Sequence, residues 1–186
     1  APTLYVTGPL ISSIQPTEFG ELDPPIVKVG QPALARQMVR QMSSRQPAYL
    51  KVWYIVPRGS DARDFLPVVE AVIDESHRRQ LPVAVHATEL ETARLAVQAG
   101  ADILVHSIDD APVDSSLLAL MRERQVSYIP TLQVSPNYAR VFAQQLALSP
   151  HELTLGDPFV IGTLTDLRHL PPADLPYFVV QRMQQP

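Results

Sequence analysis

A pattern of apolar runs alternating with amphipathic segments fills the middle of the chain. Four of the runs are short and rich in β-branched and aromatic residues, which is typical of buried strands: AYLKVWYIV, LPVAVHA, ADILVHS and VSYIPTL. Between them, apolar residues recur with helical spacing over residues 60–80, 89–100 and 113–125. Strict alternation of strands and helices predicts a parallel sheet, because a helical crossover is the usual link between neighbouring parallel strands.

Two further elements precede this pattern. TLYVTGPLI, at residues 3–11, predicts a strand, and residues 31–44 predict a helix. In the repeating part, Ser60 is the expected N-cap of one helix, and Gly100 is the expected C-terminal stop of the next. With TLYVTGPLI included, the sequence contains five strong strand candidates.

An incomplete barrel is the architecture that these strands favour. They are nearly continuous apolar runs, which predicts that both faces of the sheet are buried. Repeats of roughly twenty residues fit a parallel (β/α) TIM barrel, and five strands are fewer than the eight of a closed barrel. A doubly wound sheet is the alternative, although the sequence has no GxGxxG or GxxxxGK phosphate loop. We therefore predict an α/β fold in which residues 1–186 form the central part of a barrel domain and residues 136–186 form its proline-rich tail of helices and loops.

Composition and charge narrow the classes of function. The chain has 186 residues, a formal net charge of -4 and no basic cluster, which argues against nucleic-acid binding. No apolar run reaches membrane-spanning length, and the first residues lack a signal pattern. A signal that has been removed leaves no trace, so the sequence does not choose between a cytoplasmic protein and one exported to the periplasm. The absence of cysteine excludes disulfides and thiolate metal sites within these residues.

Two of the predicted strands end in histidine. His86 closes LPVAVHA, and His106 follows ADILV on the next strand. Because the carboxyl ends of parallel strands meet at one edge, and active sites of α/β folds lie there, we expect the two imidazoles at matching depth on that edge. Imidazole binds zinc and several other divalent metals. The alternative is that each histidine is hydrogen-bonded to a neighbouring loop.

Lys51 lies inside a strand where a charged amine is expected to avoid burial. It is one of only two lysines in the chain, and the other is Lys28. A salt bridge to a neighbouring strand would be a structural explanation. The functional alternatives are a Schiff base, an anchor for phosphate or carboxylate, and a carbamate, since burial leaves a lysine neutral and nucleophilic.

The order of a strand lysine, VAVHA, ILVHS and SYIPTL resembles the amidohydrolase superfamily. The segment HATELETARLAVQAGADILVHS is most similar to the imidazolonepropionase-like and Xaa-Pro dipeptidase-like branch. In that branch a carboxylated lysine on strand four bridges two metals, usually zinc, and histidines on strands five and six bind the second metal. The resemblance, which covers residues 3–135, implies that Lys51 is the bridging catalytic ligand, that His86 and His106 are metal ligands, and that the chain holds roughly strands three to seven.

The resemblance also implies an activity: hydrolysis of an amide, peptide or cyclic amide C–N bond by a metal-activated water, with a small-molecule or dipeptide-like substrate. The sequence identifies no substrate-binding residue. The alternatives are a non-catalytic barrel that serves as a scaffold or binding module, and an enzyme that uses Lys51 to form a Schiff base.

Two ligand groups of the superfamily are missing from this sequence. It has no HxH pair, which the superfamily places on strand one, and neither Asp157 nor Asp166 fits the aspartate that ends strand eight. We therefore expect these residues to belong to a longer protein and, on their own, to bind metal weakly and hydrolyse little. We also expect unpaired sheet edges near residues 3–11 and 126–132, which further sequence or a second copy of the chain would cover.

Overall fold

A single parallel sheet organises the protein. The computed structural model describes residues 3–14, 26–57 and 59–166. Within them lie six strands: β1 Leu10–Ser12, β2 Ile26–Lys28, β3 Leu50–Trp53, β4 Val83–His86, β5 Ile103–Val105 and β6 Ser127–Ile129. Seven helices lie in the same residues: α1 Pro32–Ser43, α2 Ala62–His77, α3 Leu90–Ala99, α4 Ser115–Glu123, α5 Val134–Phe142, α6 Pro150–Leu155 and α7 Pro158–Thr165.

The strand order is that of an open segment of a barrel. The sheet runs β2-β1-β3-β4-β5-β6, and every neighbouring pair is parallel. Over the described residues the sheet does not close, and β2 and β6 are its edges. The predicted α/β fold with a parallel, partial TIM-barrel sheet is therefore confirmed.

The hydrophobic core lies between one face of the sheet and the helices. Side chains alternate between faces along a strand, so the register assigns each strand residue to one of two sets. One set packs with residues of α1 to α4 and is almost fully buried: Ile11, Leu50, Val52, Val83, Val85 and Leu104. The other set contains Lys51, Trp53, Ala84, His86, Ile103 and Val105, and it forms the face away from the helices.

Local conformation and hydrogen bonding determine where α3 ends and where α2 begins. Gly100 ends α3 with a φ of 100°, a left-handed conformation that glycine adopts without steric cost, as predicted. The prediction for α2 is wrong by one residue, because Asp61 rather than Ser60 is the N-cap. The Asp61 carboxylate accepts from the Arg63 N–H at 2.8 Å, and the Asp64 carboxylate accepts from the Asp61 N–H at 3.3 Å. This reciprocal capping box and its negative charge stabilise the helix start better than a lone hydroxyl.

The amino-terminal strand differs most from the prediction. β1 is only three residues long, and residues 3–8 lie outside any strand. Gly8 has a φ of 88°, and Pro9 has no N–H to donate, so the ladder cannot extend through them. The expected unpaired edge at residues 3–11 is also wrong, because β1 pairs with β2 on one side and with β3 on the other.

Residues 131–186 form a second compact unit, separate from the unit of residues 1–130. Its described part carries α5, α6 and α7 and includes most of the predicted helical tail, whose residues 167–186 lie outside the described part. Among the described residues, no helix has the length and apolar character that crossing a membrane requires.

Candidate metal centre

The strand register brings Lys51 and His86 to the same face of the sheet. Lys51 of β3 pairs with Ala84 of β4, and Trp53 pairs with His86 two residues further along. Paired residues of parallel strands point the same way, so Lys51 lies on the His86 side of the sheet, about 7 Å deeper along the strand direction. His86 is the last residue of β4, at the carboxyl edge.

His106 lies beside His86 because of its backbone conformation rather than its position in the strand register. The residue opposite His86 on β5 is Val105, so His106 lies one residue beyond matching depth and would face the helices in a regular strand. Instead, His106 has a φ of 81°, and its ring centroid is 4.6 Å from that of His86. The His106 N–H still donates to the Ile129 carbonyl at 3.0 Å, so the strained backbone is held by the β5–β6 ladder.

Lys51 occupies an apolar cavity. Its residue is 9% exposed, and within the described part of the chain its Nζ has no hydrogen-bond partner. The cavity has a volume of about 460 Å³, and both Lys51 and His106 line it. Its other lining residues are mainly apolar and include Leu10, Ala84, Ile103, Val105 and Ile129. Burial lowers the pKa of Lys51 from 10.5 to about 8, because the charged form loses its hydration. A fraction of the amine is therefore neutral at physiological pH.

Both imidazoles are kept neutral by their surroundings. Burial, followed by charge repulsion from the nearby His106 and Lys51, lowers the pKa of His86 to about 3. Burial, followed by the charge of Lys51, also lowers the pKa of His106. The His86 Nδ1 is buried and has no hydrogen-bond partner among the described residues. Neutral imidazole is the form that binds metal ions.

The donor set fits part of a metal site. Two adjacent imidazoles are suitable ligands for one divalent ion, if other groups complete its coordination. Two ions would need anionic ligands, and the described residues contain no group of three histidine, aspartate or glutamate side chains placed to hold a metal.

The two aspartates that were considered for the end of strand eight, Asp157 and Asp166, cap the two ends of α7 instead. Asp157 is the N-cap of α7, where its carboxylate accepts from the Phe159 and Val160 N–H groups at 2.8 and 3.1 Å. Asp166 is the C-cap of the same helix and is exposed.

Trp53 is a neighbour of this site that sequence reasoning did not single out. Its indole ring lies 5.8 Å from the His86 ring, with 58° between the ring planes. The signal was available, because residues two apart on a strand share a face, and Trp53 is two residues after Lys51.

Known structures share this fold. An amidohydrolase is 20% identical, with a TM-score of 0.55 over 90% of this chain and 43% of its own. A prolidase complexed with N-methylphosphonate-L-proline is 17% identical, with a TM-score of 0.54 over 87% of this chain and 41% of its own. Ochratoxinase from A. niger is 17% identical, with a TM-score of 0.53 over 87% of this chain and 41% of its own.

The two comparisons of the sequence found no match. No family model matches the chain, and no curated protein matches it. The chain spans about two fifths of the length of the three structures above. The resemblance seen in the sequence is thus confirmed at the level of the fold.

Proposed function

We propose that these residues are the central part of a metal-dependent amidohydrolase that cleaves an amide, peptide or cyclic amide C–N bond. The observation that carries the proposal is the convergence of Lys51, His86 and His106 on one face of a parallel sheet, at and below its carboxyl edge. Active sites of α/β barrels lie at this edge. The fold shared with an amidohydrolase and a prolidase supports the same reaction class.

The energetic cost of this cluster favours a functional role. Lys51 and both histidines are bases whose protonated forms repel one another, and each has a lowered pKa. A sheet face built only for stability would hold apolar side chains here, as Ala84 and Val105 do nearby. Perturbed pKa values that cluster in a cavity are typical of active sites.

The chain's own residues would prepare the site as follows. The neutral nitrogens of His86 and His106 would hold one divalent ion, with zinc as the expected metal. The neutral Nζ of Lys51 would attack carbon dioxide, form an N–C bond and release a proton, and the resulting carbamate would supply anionic oxygens for bridging a second ion. A bound divalent ion lowers the pKa of a water molecule and polarises the scissile carbonyl. The remaining ligands must come from outside the described residues, so we propose that this chain alone is inactive.

A non-catalytic scaffold or binding module is the second candidate. It is favoured by the absence of a three-ligand acidic or histidine group in the part of the chain that the structure describes. A scaffold would not need the lone pairs of the two histidines, and metal binding therefore separates the two candidates.

Metal content tests the proposal directly. After equilibrium dialysis against zinc in the high-micromolar range, the chain should contain bound zinc when measured by inductively coupled plasma mass spectrometry, with a dissociation constant in the micromolar range or above. The variants His86→Asn and His106→Asn should lose that zinc, whereas His151→Asn, which changes an exposed histidine on α6, should keep it. Zinc contents that are the same in all four proteins, or zero in all of them, would favour the scaffold. Sodium borohydride trapping with a carbonyl substrate tests the Schiff-base alternative at Lys51.

A further inference from the structure

A second cavity lies at the amino edge of the sheet, opposite the edge that carries the two histidines. It has a volume of about 320 Å³. Its walls are residues 6–9, which precede β1, the end of α1, and Pro47, which lies shortly before β3. The Ala48 N–H donates to the Val6 carbonyl at 2.9 Å, so the first of these walls is tied to the third by a backbone hydrogen bond.

The interior of this cavity is mainly apolar. Met38 and Met42 of α1 line it together with Val6, Pro9 and Pro47. Methionine side chains adapt to the shape of an apolar ligand, because they are unbranched and have several rotatable bonds. An apolar cavity of about 150 Å³ holds one benzene molecule, so a volume of about 320 Å³ suits an apolar group of about five to eight carbon atoms.

A small set of polar groups accompanies these apolar walls. The Thr7 hydroxyl oxygen is buried and has no hydrogen-bond partner among the described residues. Gln41 and Arg45 are one helical turn apart, and both are exposed, so they lie where the cavity opens to solvent. Within the described part of the chain, Arg45 is the one charged residue that lines the cavity. An apolar pocket with a few convergent polar groups is the usual form of a small-molecule site.

The end of α1 leaves the charge of Arg45 available to a ligand. The last carbonyls of a helix carry partial negative charge, which disfavours an anion nearby. Here the carbonyls of residues 40–43 each accept a hydrogen bond, from the hydroxyls of Ser43 and Ser44 and from the backbone N–H groups of Arg45 and Gln46. Among the described residues, the Arg45 guanidinium has no acidic partner.

We propose that this cavity binds a small carboxylic acid with an apolar tail. The carboxylate pairs with the Arg45 guanidinium, since the two groups form charge-assisted hydrogen bonds of matching geometry, and the tail lies against Met38 and Met42. The site is distinct from the candidate metal centre, because Thr7 is the one described residue that lines both this cavity and the cavity of Lys51. The assignment does not depend on the proposed hydrolase function.

Hexanoate and hexanamide are matched probes for this assignment, because they have the same length and differ in charge. Each is titrated into the metal-free chain labelled with 13C at the methionine methyl groups, and the methyl resonances are followed by NMR. The resonances of Met38 and Met42 should shift and saturate with hexanoate, with a dissociation constant of about 1 mM or below. Met121 of α4, which does not line the cavity, should not shift. Hexanoate should bind about threefold to tenfold more tightly than hexanamide, as expected for one exposed charged contact.

The ratio of the two affinities identifies the part played by Arg45. Arg45→Gln should bring the ratio close to one without weakening hexanamide, and Arg122→Gln, at an exposed position on α4, should leave it unchanged. An unchanged Met121 resonance shows that each variant is folded. Equal affinities in the wild type, or an unchanged ratio in Arg45→Gln, overturn the assignment. Resonances of Met38 and Met42 that neither probe shifts, or shifts just as large at Met121, overturn it as well.

Discussion

The rings of His86 and His106 lie 4.6 Å apart, although the two residues are not partners in the strand register. His86 pairs with Val105. The left-handed backbone at His106, the residue after Val105, brings the His106 side chain to the face that carries His86. This relationship joins the fold to the proposed chemistry. It requires a strained conformation at one residue, and it places two bases where their protonated forms would repel each other.

Backbone strain at His106 predicts an unusual order of stabilities. A φ of 81° costs a side chain about 1 kcal/mol or more, and glycine avoids that cost. We therefore expect His106→Gly to be more stable than His106→Ala by about 1 kcal/mol in urea unfolding. The matched control is Gln98, an exposed residue of α3, where alanine should be more stable than glycine by a similar amount. If alanine is the better residue at both positions, the backbone at His106 is not left-handed.

The two histidines predict a loss of stability in mild acid. The folded pKa of His86 is about 3, below its ordinary 6.5, so between these values the unfolded chain binds a proton that the folded chain does not. Stability should therefore fall as the pH drops from 6.5 towards 3, by up to about 1.4 kcal/mol per pH unit from this group in metal-free buffer. His86→Gln should flatten the difference in unfolding free energy between pH 7 and pH 5, and His151→Gln should not. The same slope in wild type and His86→Gln would contradict the burial of His86.

The buried amine of Lys51 predicts that an uncharged side chain at this position makes the folded chain more stable. Its folded pKa of about 8 lies below the ordinary 10.5, so at pH 7 the buried, unpartnered amine destabilises the folded chain. Lys51→Met, which fills the same apolar cavity, should stabilise the chain by about 1–3 kcal/mol at pH 7, and this gain should disappear above pH 10.5. Lys28→Met, at an exposed position, should change stability by less than about 0.5 kcal/mol. A destabilised Lys51→Met would mean that the amine has a partner in solution.

In a protein that carries the complete site, the same lysine predicts a chemical rescue. Lys51→Ala should abolish hydrolysis and lower the metal content, because no carbamate can form. Added short carboxylates, such as acetate or propionate, should restore part of the activity, since they supply the missing anionic oxygens. Activity that survives in Lys51→Ala without any additive would contradict the bridging role.

Much of the fold follows from the sequence because its signals are local and repeated. The apolar runs and helical periodicity predicted β3 to β6 and α1 to α4, and Gly100 predicted the end of α3. β2 was not predicted, because its short apolar run in PPIVKVG is interrupted by Lys28 and bounded by Pro25 and Gly30. The extent of β1 was overestimated because the apolar composition of residues 3–8 carries no information about the Gly8 conformation that ends the ladder.

The candidate site could be predicted only in part, because some of its contacts depend on the strand register and on one backbone angle. That the two histidines lie at one end of the sheet follows from the common direction of parallel strands, whereas the deeper position of Lys51 on the same face follows from the register between β3 and β4. The contact between the two rings depends on one backbone angle at His106, which no strand pattern encodes. Trp53 was within reach of the alternation rule, but its proximity to His86 depends on the register between β3 and β4.

Zinc-edge X-ray absorption is the most direct test that His86 and His106 hold one metal together, because outer-shell scattering from imidazole rings counts the histidine ligands. The spectrum of the zinc-loaded chain should fit two imidazoles, with water completing the coordination. In His86→Asn and in His106→Asn the count should fall to one or the zinc should be lost, and in His151→Asn it should stay at two. A wild-type spectrum that fits no imidazole, or a count that stays at two in His86→Asn and in His106→Asn, would contradict the account.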